Sequence, residues 1–382
     1  MNILHLCNDF CHTKVHSLLY RELDALGVQQ TVFNPVRNAA FVGLNHFDAP
    51  HTSIFYANVV KPWHKYAYHI KRRHVFRQLL KSINPNDFTL IHATTLITDG
   101  GLAYLLFKRY RIPYIVTVRN TDVNEFLKYM PHTWPSARKI LLSAEKIIFI
   151  NNGLRHDLLR HPAIRPIAKT LESRIILMPN GINNYYLDHI SHSPRTGHNI
   201  IYVGQFTTRK NVLRLAKAVL LLRKQPQFSD LTLTLVGGGA PTHSPIQALK
   251  HSTIQAFINK HPDAFLFVPP VSDPSIMCQL FSKAALLAMP SLHETFGLVY
   301  IEALSQNLPI LFSSGQGVDG LLPSSAGIPI NPYSVDDIAR GLASLLSNPS
   351  MGNHDVDFGL FRWSTIAKQY LHIYYTLTPL HQ

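Results

Sequence analysis

Short apolar runs alternate along this chain with longer runs whose apolar residues recur every three to four positions. Asn2–Leu6, Gln30–Phe33, Leu90–His92, Tyr114–Val118 and Lys146–Ile150 read as strands, and Val15–Leu26, Gly101–Lys108 and Pro135–Ala144 as helices between them. A strand-then-helix rhythm predicts a parallel sheet with helices on both faces. The rhythm breaks at Met178-Pro179-Asn180-Gly181-Ile182-Asn183, where Pro-Asn-Gly is turn chemistry, and the chain stays polar and irregular to His198. It restarts with strands at Asn199–Val203, Leu231–Val236, Ala264–Val268, Leu286–Met289 and Pro309–Phe312. The helices of this half are Val212–Leu222, Thr253–Lys260, Leu298–Gln306 and Val335–Leu346. The prediction is therefore α/β: two doubly wound domains, 1–182 and 195–360, with a cleft between them and ligands beyond the carboxyl ends of the strands. A closing segment, 361–382, contains the amphipathic, aromatic run Trp363–Thr376, expected to be a docked helix.

The length of 382 residues suits two cores rather than one. With 46% apolar and 15% charged residues, the composition excludes a disordered chain. A formal charge of +14 asks for an acidic counterpart, whether nucleic acid, anionic lipid or a phosphorylated substrate, and does not choose among them. Part of that charge is concentrated in 61–81, where Lys61, Lys65, Lys71, Arg72, Arg73, Arg77 and Lys81 are interleaved with aromatic residues and no Asp or Glu occurs. An interfacial helix on anionic lipid and a plain solvated basic face both fit. Cys7 and Cys11 have no second Cys/His pair at zinc-finger spacing, and three cysteines make no disulfide framework, which fits a reducing compartment. The first residues lack the marks of a signal peptide, and no apolar run reaches the roughly 18 residues of a membrane span. The expected location is cytoplasmic, soluble or peripheral at the inner face of the cytoplasmic membrane.

Four segments carry candidate chemistry. In 289–303, a strand ends at Pro290, a loop holds Glu294 and Thr295, and Gly297 opens a helix that contains Glu302. Free amides at Phe296, Gly297 and Leu298 would cradle a diphosphate. The two glutamates would then reach sugar and ribose hydroxyls. Alternatively Glu302 is a solvated helix residue and Glu294 a partner of the helix dipole. In 202–211, Gly204 permits close backbone approach after a strand, Gln205 follows, and Arg209 and Lys210 open a helix. Cations there are unfavourable for the helix and favourable for an anionic ligand, although a solvated basic turn also fits. The loops Asn8-Asp9-Phe10 and Arg119-Asn120-Thr121-Asp122-Val123-Asn124 are polar and end strands, so a ligand contact and helix capping are both open. Val236-Gly237-Gly238-Gly239 lacks the GxGxxG spacing of a dinucleotide fingerprint. Asp355-Val356-Asp357 has the shape of a metal-binding pair but lies in a late polar loop, and no metal is expected.

Together these segments resemble the retaining glycosyltransferases of the GT-B fold, family 4. The run 289–303 is similar to the family's E-x7-E motif, with Glu294 and Glu302 as the two acids. Leu177–Asn183 resembles its inter-domain PNGI segment, Gly204–Asn211 its phosphate-binding turn, and Met1–Phe10 its first strand and loop. The resemblance implies two Rossmann-like domains facing a cleft, the first for the acceptor and the second for the nucleotide-sugar. It implies that Glu294 contacts the donor hexose, Glu302 the ribose, and Lys210 with Arg209 the departing diphosphate, without a metal or other cofactor. It also implies that the closing helix returns to the first domain. Three departures stand out. Gln205 occupies a position where the family often has Arg. Arg119 stands where its HGSD-like loop has His. Lys14-Val15 stand near its glycine pair. Asp9, Arg119, Asn120 and Asp122 are the acceptor-side candidates, and Ser314–Gly320 resembles the loop closing the donor site, or is only a turn.

The leading expectation is transfer of a hexose from a UDP- or GDP-sugar, with retention, to a glycan or lipid-linked acceptor in bacterial surface polysaccharide synthesis. The family and the basic stretch near Arg72, set against an anionic membrane, motivate that pathway; no nucleic-acid partner is expected. A nucleotide-sugar epimerase or hydrolase on the same fold is a second expectation. A nucleic-acid- or membrane-binding protein without chemistry is a third.

Overall fold

The computed structural model describes residues 1–65, 67–195, 197–238 and 253–378. The chain forms two compact units. One comprises Met1–Ile150, Leu154–Gly181 and the chain from Trp363 onward; the other comprises Asn151–Gly153 and Ile182–Arg362.

The first unit holds a seven-stranded parallel sheet: β1 (Asn2–Leu6), β2 (Gln29–Val36), β3 (Thr52–Asn58), β4 (Leu90–Ala93), β5 (Tyr114–Val118), β6 (Lys146–Phe149) and β7 (Ile175–Leu177), in the order β3-β2-β1-β4-β5-β6-β7. β1, β4 and β5 are buried almost throughout, as strands covered on both faces must be. Thr13 caps the helix Lys14–Ala25 through its side chain, and Gly27 leaves that helix at φ +77°. Trp363, Ile366, Tyr370 and Tyr374 of the closing helix Trp363–Leu377 share one buried cluster with Ile3, Leu19, Tyr20 and Leu23. This helix therefore belongs to the core of the first unit.

The second unit holds a six-stranded parallel sheet: β8 (Asn199–Gln205), β9 (Thr232–Gly238), β10 (Phe265–Val268), β11 (Leu286–Met289), β12 (Ile310–Ser313) and β13 (Gly327–Ile330), in the order β10-β9-β8-β11-β12-β13. Val212–Leu222 and Val335–Ser347 are amphipathic helices on this sheet, the second capped by Ser334 on the amide of Asp337. Residues 253–259 are helical, and Gly239 of the glycine run lies outside the described residues.

β3, β7 and β13 are absent from the strands read in the sequence, and all three are edge strands. β13 reads Gly-Ile-Pro-Ile, and a proline is tolerated where one flank of a strand is unpaired. β3 has a short Ile-Phe-Tyr-Ala run that is half-exposed along its length and bounded by Thr-Ser and Asn, so it does not stand out as a core strand. The stretch from Asn183 to His198, read as irregular, contains the short helix Asn184–Asp188, capped by Asn183 and burying Tyr186 and Leu187.

Both strand orders reverse once. In the first sheet the reversal falls between β1 and β4; in the second it falls between β8 and β11. Ligands of such sheets sit beyond the carboxyl ends of the strands at that reversal. In the second unit this is where β8 runs into Gly204–Lys210 and β11 into Pro290–Gly297.

Candidate active site

The end of β8 is shaped by two glycines. Gly204 (φ +152°) pairs with Gly237 (φ +128°) of β9, and a Cβ on Gly237 would collide with the Gly204 carbonyl oxygen. The glycine run of β9 thus serves close strand approach rather than a dinucleotide. Beyond Gln205, which is exposed, Thr207 caps a single turn, Thr208–Lys210, by accepting the Lys210 amide. Arg209 and Lys210 therefore lie in a turn ahead of the helix Val212–Leu222, not in its first turn. The pivot is Asn211, left-handed at φ +60° and buried. Its Nδ2 donates to the carbonyls of Pro290 (2.9 Å) and Pro332 (2.6 Å), while its Oδ1 accepts from Arg214. The Leu292 amide donates to the Arg209 carbonyl at 2.8 Å. One asparagine and one backbone bond thus fasten the cationic turn to the loop after β11.

That fastening brings Lys210 to Glu294. Lys210 Nζ lies 2.6 Å from Glu294 Oε2, with both side chains largely withdrawn from water. Ser291 Oγ donates to the same oxygen at 3.2 Å, and the Thr295 amide donates to Oε1 at 3.1 Å. The Ser314–Gly320 loop closes on Glu294 from its other side. Gln316 Oε1 accepts the Glu294 amide, and the Gly317 amide donates to the Glu294 carbonyl. Gly317 is left-handed at φ +56°, and a Cβ there would press on Glu294 and on the Phe296 carbonyl. Arg209 is exposed and makes no ion pair among the described residues.

The helix Leu298–Ser305 starts from Gly297, left-handed at φ +77°, where a Cβ would collide with the Tyr300 ring. Among the described residues the amides of Phe296, Gly297 and Leu298 have no backbone or side-chain acceptor, which leaves a helix N-terminus open to an anion. Glu302 is half-buried and close to Tyr186 and Cys278; burial pushes its carboxyl up to about 7. A cavity of about 510 Å3 adjoins the same loops, lined by Leu292, Gln316, Asn331 and Tyr333 among others. Asp355 and Asp357 are engaged elsewhere, the first by Ser325 Oγ and the second as the cap of the turn Phe358–Phe361.

The first unit treats its candidates differently. Asp122 is fully buried and accepts three backbone amides: Leu96 and Arg119 on Oδ2, Ile97 on Oδ1, each at 2.9 Å. Burial lifts its carboxyl to about 6 against the pull of those amides. Asp122 thus ties the loop after β5 to the loop after β4. Arg119 donates from Nε to the Thr94 carbonyl and reaches Asn180 Oδ1 at 3.5 Å. Asn120 accepts from Asn124, and Asp9 is half-buried with its carbonyl on His12. A residue not singled out in the sequence, Asp99, lies beneath them. It is fully buried, accepts from Asn8, Thr94 and Thr95, and is raised by burial to about 7. Nothing in its sequence neighbourhood, Thr-Thr-Leu-Ile-Thr-Asp-Gly-Gly, marks it apart from an ordinary helix-start aspartate.

Residues 17–185 match the family model described as Glycosyltransferase Family 4, and residues 188–359 match the model described as Glycosyl transferases group 1. Among curated proteins, a match at 23% identity over 286 residues is to TuaC of Bacillus subtilis (strain 168), named as a teichuronic acid biosynthesis glycosyltransferase. It covers 71% of this chain and 65% of TuaC, less than two thirds of that protein's length. Among solved structures, sucrose-phosphate synthase from Thermosynechococcus elongatus superposes with a TM-score of 0.75 at 19% identity, covering 99% of both chains. Anabaena HepE, solved in complex with UDP and glucose, does so with a TM-score of 0.69 at 16% identity, covering 98% of this chain and all of that one. No described helix is long and apolar enough to cross a membrane. A binding protein without chemistry is thereby set aside: with two parallel doubly wound units and both family models matched in order, the chain belongs to the family 4, group 1 glycosyltransferases and is a transferase enzyme of the GT-B fold.

Proposed function

We propose that the protein transfers a hexose from a UDP- or GDP-sugar to a glycan or lipid-linked acceptor with retention of configuration, without a metal. The single observation that carries this reading is the buried Lys210–Glu294 pair beside three unacceptored amides at the reversal of the second sheet. In the reaction the bond between the anomeric carbon and the β-phosphate oxygen breaks. A bond from the acceptor oxygen forms on the same face, and the acceptor proton passes to the departing phosphate. Charge then grows on the diphosphate, where Lys210, Arg209 and the Phe296–Leu298 amides are preorganised to stabilise it. Glu294, freed in part from Lys210 as the lysine turns to phosphate, accepts from sugar hydroxyls, and Glu302 accepts from the ribose. HepE, similar in fold, was solved with UDP and glucose, and this supports a nucleotide-sugar donor. The name of TuaC supports a place in bacterial surface polysaccharide synthesis.

A peripheral location at the cytoplasmic face of the membrane forms part of the same reading. In the helix Tyr68–Ser82 the basic stretch divides: Lys71 and Arg72 are half-buried, whereas Ile70, Arg73, Arg77 and Lys81 are exposed at helical spacing, with Trp63 exposed just before them. The experiment is calorimetry with UDP- and GDP-hexoses in chelator, followed by product analysis with and without acceptor. Binding of none of them would end the reading; conversion of the donor to an epimer or a free sugar, with acceptor present and untouched, would favour an epimerase or hydrolase.

A further inference from the structure

A cavity of about 460 Å3 lies wholly within the first unit, where the ends of β2, β4 and β5 deliver Arg37, Thr98 and Glu125 to its wall. Its volume falls within the roughly 300–1,000 Å3 of small-molecule sites. The helix Tyr68–Ser82 contributes Lys71 and Arg72, so three cations line a space into which Glu125 brings the lone acid. None of the three forms an ion pair among the described residues. Arg72 packs its guanidinium 5.3 Å from the Tyr68 ring centroid, and its Nε is buried without a hydrogen-bond partner. Lys71 is half-buried, and burial, then the neighbouring charge of Arg37, lowers its pKa against the opposing pull of Asp99 and Asp9. Thr98 opens the helix Thr98–Tyr110, and its amide has no acceptor among the described residues. Clustered cations, an unpaired buried guanidinium nitrogen and an open helix start are each unfavourable alone. One multivalent anion relieves all three.

We infer that this cavity seats a phosphoryl group carried by the acceptor, with the rest of the acceptor against the rings of Tyr68 and Phe126. A phosphoryl group fits better than a carboxylate. It brings about −1.5 to −2 charges and three acceptor oxygens, enough for several cations, where a carboxylate brings one charge. The inference rests on the glycosyl transfer proposed above, because it names the class of molecule that receives the sugar. A sugar linked to polyprenyl phosphate and a soluble sugar phosphate both present this chemistry, each with sugar hydroxyls free to receive the hexose.

The test uses the full chain and begins with inorganic phosphate, titrated by calorimetry at fixed ionic strength. Wild type should bind it, and Lys71→Gln and Arg37→Gln should each weaken binding at least fivefold. Arg37 is exposed, so that variant carries the test if the Lys71 variant does not fold. Transfer is then measured to a hexose 1-phosphate, to a hexose linked to polyprenyl phosphate in detergent micelles and to the free hexose, which lacks the phosphoryl group. In both variants KM should rise at least tenfold for a phosphorylated acceptor and less than twofold for its unphosphorylated counterpart. Use of either phosphorylated acceptor supports the inference, and which one is used gives the source of the phosphate. Equal phosphate binding by wild type and variants, or an equal rise in KM for both kinds of acceptor, overturns it. Absence of any donor turnover would sink the proposed transfer, while the phosphate titration would still judge the cavity on its own.

Discussion

Two buried acids, each in the loop that follows a parallel strand, have opposite surroundings. Glu294 of the second unit takes one main-chain amide, that of the next residue, on Oε1, and gives Oε2 to a lysine side chain and a serine hydroxyl, partners that can swing away. Asp122 of the first unit spends both oxygens on three main-chain amides, which cannot. An acid held by side chains can exchange them for a ligand at little cost to the fold. An acid held by backbone is part of the fold, and any influence it has on a substrate runs through the loops it positions. Burial alone would have ranked the two together; the mobility of the partners separates them.

The largest expected effect tests the first half of this contrast. Replacing Lys210 by Ala removes the cation at the departing diphosphate, and loss of one such stabilising group costs about 10²–10³ in turnover. Glu294→Gln keeps the side-chain shape and should likewise lose turnover, with its melting temperature little changed. The two losses should combine to less than their product, because each variant already breaks the same pair. Steady-state kinetics of the two single variants and the double variant read this directly. Fully multiplicative losses would show that the pair does not act as a unit.

Asp122→Asn tests the other half. An amide group presents N–H where the aspartate presents an acceptor, so at least one buried main-chain amide loses its partner, at about 1–3 kcal/mol. The variant should unfold at lower denaturant and bind nucleotide-sugar as wild type does. A normal denaturation midpoint with abolished transfer would move Asp122 from the scaffold to the chemistry and dissolve the contrast.

Gly181→Ala sharpens it further, because this glycine was legible only as punctuation. A Cβ on Gly181 would lie 2.6 to 2.8 Å from ring atoms of Trp363, itself buried. Overpacking of this kind costs about 1–3 kcal/mol. The expected outcome is a lower melting temperature with an unchanged donor affinity, since donor residues belong to the other unit.

How far these roles could be read from sequence follows from the kind of signal each leaves. The buried central strands were legible because both of their faces are covered, which makes them continuous apolar runs. The edge strands β3, β7 and β13 were not: β7 is only three residues long, β13 carries a proline, and the apolar run of β3 is short and half-exposed. Glu294, Lys210 and Gly297 stood out as candidates through the spacing of two glutamates, a pair of adjacent cations and a glycine ahead of a helical run. Asn211, Gln316 and Asp99 did not: each acts through partners some 80, 20 and 90 residues away, and a single sequence carries no trace of such pairing. The basic stretch 61–81 was legible as charge but not as two faces, because the inward turn of Lys71 and Arg72 depends on a neighbouring helix.

The smallest expected effect concerns Glu302, which neither of the two modes of holding describes. Its carboxyl has no described partner and is raised to about 7 by burial alone, so it costs the fold something once ionised. An unfolded chain releases this proton near the ordinary 4.5, so between about 4.5 and 7 the folded state holds more protons and loses stability as pH rises. Relative to Glu302→Gln, the wild type should therefore lose about 1–2 kcal/mol across that window, roughly half of what the full difference between 4.5 and 7 would give because water screens part of this half-buried acid, measured as denaturation midpoints at successive pH values. A ligand reverses the sign. If ribose hydroxyls donate to the ionised carboxylate, nucleotide binding by the wild type should tighten as pH rises from 6 to 8, while the Gln variant shows no such trend. A stability slope without the binding slope would leave Glu302 as a buried acid of the helix and take the ribose away from it. Both slopes together would make it a third kind of acid, unheld in the free protein and satisfied only by its substrate.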